Sequence, residues 1–274
     1  MKTYLDKIYN TKKSKWYQEN LTYETVSEED NSLVPKEYVF TINSEEKTFI
    51  KNLNDFASSL KSYVRENYSE ESDLNANYNS EFRYEQNKIL EFFTLNIHLF
   101  KPLIYKTETK DNELKFLNIS PIQLVKSERD FIKLIQKYIE NNQDIFDEIY
   151  FLRNPSRKGI GFFETKNFYP DFILWTIKDK KQTISFIDPK GLIMVDSNDE
   201  KLKLFASIKD IEKELNEKTN LNIKLFSFIV TPTSSDDLKK KGWTKTKQEL
   251  NSENILFIDD GEDLVKDIFN KISG

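Results

Sequence analysis

Between Lys47 and Tyr68 the apolar residues Phe49, Ile50, Leu53, Phe56, Leu60 and Val64 recur at three- and four-residue intervals, a spacing that predicts an amphipathic helix. The polar run Asp73–Ser80 reads as a linker or loop, and a second helix is expected over Ser80–Phe93, leading into Thr94–Tyr105. Ser127, followed three residues on by Asp130, has the form of a helix cap and opens a helix to about Asn141. Its apolar stripe is Phe131, Ile132, Leu134, Ile135, Tyr138 and Ile139. The pattern then changes to short runs that predict strands at 148–152, 171–177 and 183–188, with Lys178–Lys181 as the turn between the last two. The middle run is almost continuously apolar, as in a strand buried on both faces. Leu202, Leu204, Phe205, Ile208, Ile211 and Leu215 mark a helix over roughly 199–217. Strands near 222–231 and 254–258 and a helix over 261–272 complete the pattern. The order α-β-β-β-α-β-β-α predicts an α/β fold, a mixed β-sheet flanked by helices. Residues 1–90 read as a mainly helical N-terminal extension or docking region, and 91–274 as one domain.

Composition narrows the chemistry more than it narrows the fold. With no cysteine and a single histidine, His98, the chain has no disulfide framework, no thiol nucleophile and no Cys-ligated zinc site. Catalysis must therefore rest on carboxylates, lysines, tyrosines or hydroxyls. His98 itself, in an apolar run, reads as a core or boundary residue. No stretch approaches the ~18 apolar residues of a membrane span, and the N-terminus lacks the apolar segment of a secretory signal; a cytoplasmic location is expected. The net charge of −5 does not advertise a nucleic-acid partner. It is unevenly distributed, however: Arg153–Lys158, Lys178–Lys181 and Lys239–Lys247 are basic, although solvated loop ends explain each alone equally well. In the last of these, Trp243 reads mainly as a loop anchor.

One constellation stands apart. Asp171 opens a strand after Tyr169-Pro170, and Asp188-Pro189-Lys190 closes the next. Asp188 and Lys190 are two apart, so strand alternation puts both side chains on one face. Hairpin-linked strands bring Asp171 and Asp188 to the same end, in mutual reach if the sheet splays there. An apolar strand seldom ends in a carboxylate and an ammonium group, because a buried charge costs several kcal/mol unless paired or metal-bound. Pro189 cannot donate a ladder hydrogen bond, which suits a terminus or bulge and leaves its carbonyl available as a third ligand. Hard divalent ions held by such oxygens assist phosphodiester hydrolysis. The alternative is a Tyr-Pro-Asp turn and a surface salt bridge.

The text around these residues sharpens the reading. FYPDFILWTIKDKKQTISFIDPKGL, residues 168–192, resembles the PD-(D/E)XK nuclease superfamily. With HLFKPLIY (98–105), EIYFLRNPSRKGIGFFE (148–164) and FSFIVTPTSSDDL (226–238), it resembles more closely the C-terminal endonuclease domain of type III restriction (helicase–nuclease) subunits. The likeness covers about residues 90–274. It implies a restriction-endonuclease-like αβββαβ core and a Mg²⁺-dependent endodeoxyribonuclease, with Mn²⁺ as a substitute ion, in a restriction or phage-defence system. Asp171 and Asp188 would bind the metal, and Lys190 would orient the attacking water and steady the phosphate. The superfamily also places an acidic residue on the helix before the first core strand. Glu128 fits, three residues before Phe131 and so on the side of the apolar stripe; it is preferred to Asp130, which the cap explains. Arg157, Lys158 and Gln182 are candidate DNA contacts, each with a loop or turn reading beside it. No G-x-x-x-x-G-K-[ST] phosphate loop is present, so no ATP site is expected in this chain. The implied partners are double-stranded DNA and a motor or methyltransferase subunit on another polypeptide. The rival reading is a non-catalytic DNA- or partner-binding module on the same fold.

Overall fold

Phe49, Leu53, Phe56 and Leu60 line one side of α1 (Lys47–Asn67), as their spacing requires. The structure, a computed structural model, describes residues 39–43, 46–67, 78–95, 103–107, 117–120, 123–142, 145–154, 169–219 and 222–273. The chain divides between Lys137 and Tyr138 into an N-terminal unit, Val34–Lys137, and a C-terminal unit that takes in Tyr138–Gly274. The expected boundary at 90/91 falls inside a strand.

In the N-terminal unit, β2 (Tyr78–Tyr84), β3 (Asn87–Thr94) and β4 (Leu103–Lys106) form an antiparallel meander. A separate antiparallel pair joins β1 (Val39–Ile42) to β5 (Leu117–Ser120). Phe49 meets Phe82 edge-on at 5.7 Å, and Leu90, Phe92, Ile104 and Leu117 complete the apolar cluster. The helix expected over Ser80–Phe93 is therefore a hairpin, and the described part of residues 1–90 combines α1 with β1, β2 and the start of β3. Tyr84 pairs with Asn87 across a two-residue turn in which Glu85 and Gln86 both take positive φ, 46° and 66°. That geometry matches the twist of paired strands, but its usual Asn-Gly signature is missing. Phe82, Leu90 and Phe92 then satisfy a sheet face rather than a helical stripe. Glu91 on β3 is buried, and Lys133 Nζ at 3.0 Å and Arg129 Nη1 at 3.2 Å, both from α2 (Lys126–Asn141), compensate its charge.

The C-terminal unit is built on one five-stranded sheet of order β10-β9-β8-β7-β6. β6 (Glu148–Arg153), β7 (Phe172–Lys178) and β8 (Lys181–Pro189) run antiparallel; β8, β9 (Ile223–Thr231) and β10 (Ile255–Phe257) run parallel. The β7–β8 turn is Asp179-Lys180, both at positive φ. A parallel neighbour needs a crossover, and α3 (Leu204–Thr219) supplies it from β8 to β9, entered through a 3-10 turn at Glu200–Lys203. From β9 the chain passes through two six-residue helices, α4 (Ser235–Lys240) and α5 (Lys247–Ser252), to β10 and then α6 (Glu262–Ser273). Leu264, Val265, Ile268, Phe269 and Ile272 of α6 are buried, with the Phe269 ring stacked at 5.1 Å on Tyr138. From α2 onward, with the two six-residue helices set aside, the helices and strands follow the α-β-β-β-α-β-β-α order, in a mixed α/β architecture of sheets flanked by helices. The two short helices are additions to the expected pattern. Among the described residues no helix is long and apolar enough to cross a membrane.

Candidate functional site: a carboxylate pair at a forked sheet

β8 is the middle strand, and its last residues face two different neighbours. Toward β9 the parallel ladder continues through Asp188↔Ile229 and Pro189↔Val230. Toward β7 the antiparallel ladder ends at Phe172↔Ile187. Asp171 and Asp188 are the next residues on the two arms, so the sheet opens between them. Continuing the register sets them opposite one another, and opposed residues of an antiparallel pair project from the same face. Beyond the opening, Lys190 N–H donates to the Val230 carbonyl at 2.8 Å. By strand alternation the N–H groups of Asp188 and Lys190 then turn toward β9, and the donor that Pro189 lacks would have faced the opening. A proline is tolerated in this central strand because no ladder bond is lost there.

The other arm is held by β6. Asn154 N–H donates to the Asp171 carbonyl and Asn154 Nδ2 to the Pro170 carbonyl, both at 2.8 Å. Asn154 and Asp188 are buried, at 4% and 6% exposure. The Asp171 and Asp188 side chains are in hydrogen-bond contact. Burial first, and then the hydrogen bond to Asp188 and its charge, push the Asp171 carboxyl up to about 8, against the opposing charges of Arg153 and Lys190. Two touching carboxylates out of water cannot both stay ionised uncompensated: they hold a proton between them or share a cation. The donor set is hard oxygen, the kind that Mg²⁺ takes in ones and twos alongside water and substrate phosphate. Among the described residues no group of three or more His, Cys, Asp and Glu forms a metal-holding cluster.

The structure thus brings together Asp171, Asp188 and Lys190. Glu128 lies in the N-terminal unit, at the start of α2. That helix opens at Lys126, so the expected Ser127–Asp130 cap is corrected: Val125 is the N-cap residue, its carbonyl accepting from Arg129 N–H at 2.9 Å. Glu128 Oε2 accepts from Val125 N–H at 2.6 Å, the reach-back half of a capping box. Asp130 instead accepts from Arg129 Nη2 at 2.7 Å. The structural explanation that favoured Glu128 over Asp130 has changed hands. Gln182 stands at the opposite end of β8, six residues and so about 20 Å from Asp188, and accepts from Trp175 Nε1 at 3.3 Å. Arg157, Lys158 and His98 lie outside the described residues. The basic run 239–247 is locally paired: Lys240 with Asp237, Lys245 with Glu253 and Lys247 with Asp260. Trp243 is buried as its anchor.

Two residues near the pair escaped the sequence reading. Arg153, taken as part of a basic loop, is the last residue of β6, with its guanidinium 5.8 Å from the Phe172 ring centre. Asn154 falls inside the same basic run, Arg153–Lys158. The available signal was Pro155, which favours extended backbone in the residue before it.

Residues 123–220 match the YagJ family. The matched stretch contains α2, β6, β7, β8 and α3, and with them Glu128, Asn154, Asp171, Asp188 and Lys190. No curated protein and no solved structure matches the chain.

Proposed function

We propose that the C-terminal unit is a Mg²⁺-dependent DNA endonuclease, with a restriction-endonuclease-like core, that serves a restriction or phage-defence system. The observation that carries the reading is the contact between Asp171 and Asp188 at the fork, with Lys190 one residue past the end of β8. In a purely structural role the pair would burden the fold, since each carboxylate raises the cost of ionising the other. As a cation site the same arrangement is stabilising.

Asp171 and Asp188 would hold the ion, with the Pro189 carbonyl, directed to the open side by strand alternation, as a backbone donor. Glu128 is carried as a further ligand on the resemblance alone. Mg²⁺, when bound, supplies charge neutralisation at the phosphate and a more acidic water. Lys190 shares a face with Asp188, and its charge already acts on Asp171. It orients the attacking water and offsets charge growing on the phosphate oxygens, work worth about 10²–10³ in rate when one such donor is removed. Arg153 adds a second cation near Asp171. Double-stranded DNA is the substrate, and any ATP-driven motor or methyltransferase acts from another polypeptide.

Cleavage of supercoiled plasmid tests this directly. The wild-type chain nicks or linearises it with Mg²⁺ or Mn²⁺ and not with EDTA; Asp188→Ala abolishes cutting, and Lys190→Ala slows it at least ~10²-fold. Equal cutting by the variants would sink the site. No cutting by a wild-type chain that does bind Mn²⁺ would favour the non-catalytic binding module.

A further inference from the structure

Both peptide groups that flank the Asp171 Cα are tied to one residue. The Pro170 carbonyl precedes that Cα and accepts from Asn154 Nδ2 at 2.8 Å; the Asp171 carbonyl follows it and accepts from Asn154 N–H at 2.8 Å. Fixing the planes on either side of a Cα fixes φ and ψ there, and with them the direction of Cβ. Pro170 has no N–H with which to anchor itself, and beyond Phe172↔Ile187 the β7–β8 ladder no longer constrains the arm. Asn154 itself is set firmly: it is 4% exposed, it directly follows a strand paired through Arg153↔Phe172, and its amide donor is spent on a backbone acceptor. A buried side-chain amide used in this way orders the segment it touches.

We infer that Asn154 is the positioning residue of the carboxylate pair: by tethering Pro170 and Asp171 it aims the Asp171 carboxylate at Asp188 and so sets the affinity of the pair for a divalent cation. The inference rests on the reading of the pair as a cation site. Asn154 does not itself touch the ion. Its contribution is to hold one ligand in place before the ion arrives, as the outer partners of metal ligands do.

Asn216 provides an internal control. It makes the same kind of double tether, with Nδ2 donating to the Ile223 carbonyl at 2.8 Å and Oδ1 accepting from Ile223 N–H at 2.9 Å, at the end of β9 remote from the fork. Asn216→Ala likewise breaks a side-chain tether to backbone, so a general loss of stability shows in the control as well. The test is calorimetric titration of the full chain with Mn²⁺, with circular dichroism to establish that each variant is folded. Asn154→Ala is expected to bind Mn²⁺ about 10- to 100-fold more weakly than wild type, while Asn216→Ala stays within about twofold of it. Asn154→Ser, whose hydroxyl is too short to reach the Pro170 carbonyl, is a milder variant that should show the same loss if Asn154→Ala fails to fold. A folded Asn154 variant with wild-type affinity would overturn the inference, as would an equal loss in Asn216→Ala. A wild-type chain that binds no Mn²⁺ would instead overturn the cation-site reading beneath it.

Discussion

Replacing Asp188 by asparagine should make the metal-free protein more stable, and increasingly so as pH rises. The Asp171 carboxyl ordinarily titrates at 3.8 and in the folded chain is pushed up to about 8, by burial first and by Asp188 next. A carboxyl raised on folding contributes its stability below the unfolded value and loses it as pH climbs to the folded one. Between pH 4 and 8 the folded chain therefore holds a proton that the unfolded chain has released, and unfolding becomes easier with each step in pH. Fully expressed at pH 8, the displacement amounts to on the order of 5 kcal/mol. Burial persists in Asp188→Asn, so only the part due to Asp188 is recovered, about 1–3 kcal/mol after solvent and relaxation take their share. For a chain of this size that is roughly 2–4 °C of melting temperature per kcal/mol. Melting of wild type and Asp188→Asn in EDTA at pH 5, 6, 7 and 8 measures the difference, and the subtraction cancels every titration the two proteins share. The stabilising difference should be smallest at pH 5 and widen toward pH 8. A difference that stays flat, or that favours wild type at pH 8, would refute the reasoning that the two carboxylates burden one another.

Three further outcomes follow from the same geometry. Because a cation must displace the proton held by the pair, Mg²⁺ affinity should rise from pH 6 to 8, and calorimetry in buffers of different ionisation enthalpy should show net proton release near pH 7. Glu128→Gln retains an oxygen able to accept from Val125 N–H, so its stability should lie within about 0.5 kcal/mol of wild type, whereas Glu128→Ala loses about 1 kcal/mol; weakened Mn²⁺ binding by a stable Glu128→Gln would give that residue a role beyond the cap. Replacing Glu85-Gln86 by Asn-Gly should stabilise the N-terminal unit by about 0.5–1 kcal/mol, since both positions already take positive φ; destabilisation in a urea titration would contradict the hairpin.

Elements with long, unambiguous patterns were legible in the sequence. Phe49, Leu53, Phe56 and Leu60 could pack only as one stripe of a helix, and the apolar run of β7 could be satisfied only by cover on both faces. Where the signal depended on backbone conformation, it was easily misread. Glu85 and Gln86 carry no glycine or asparagine to announce a tight turn, so the apolar residues around them fitted a helix equally well. The cap of α2 shifted by one residue because Val125 has no side-chain acceptor, and Glu128 alone completes the N-terminus. α5, by contrast, had a readable start: Thr246 and Glu249 form a reciprocal capping box, but six residues are too few to show periodicity. At the candidate site, residue types and strand alternation were enough to single out Asp171, Asp188 and Lys190. Their mutual reach and the tether from Asn154 depend on the register of three strands, which local pattern does not specify.

Titration of wild type, Asp171→Asn and Asp188→Asn with Mn²⁺ at pH 8 addresses the central claim, that these two carboxylates form one divalent-cation site. Saturable binding by the wild-type chain is expected, weakened at least ~10-fold by either substitution while the fold is retained. Wild-type binding that survives both substitutions unchanged, or no binding at all, would contradict it.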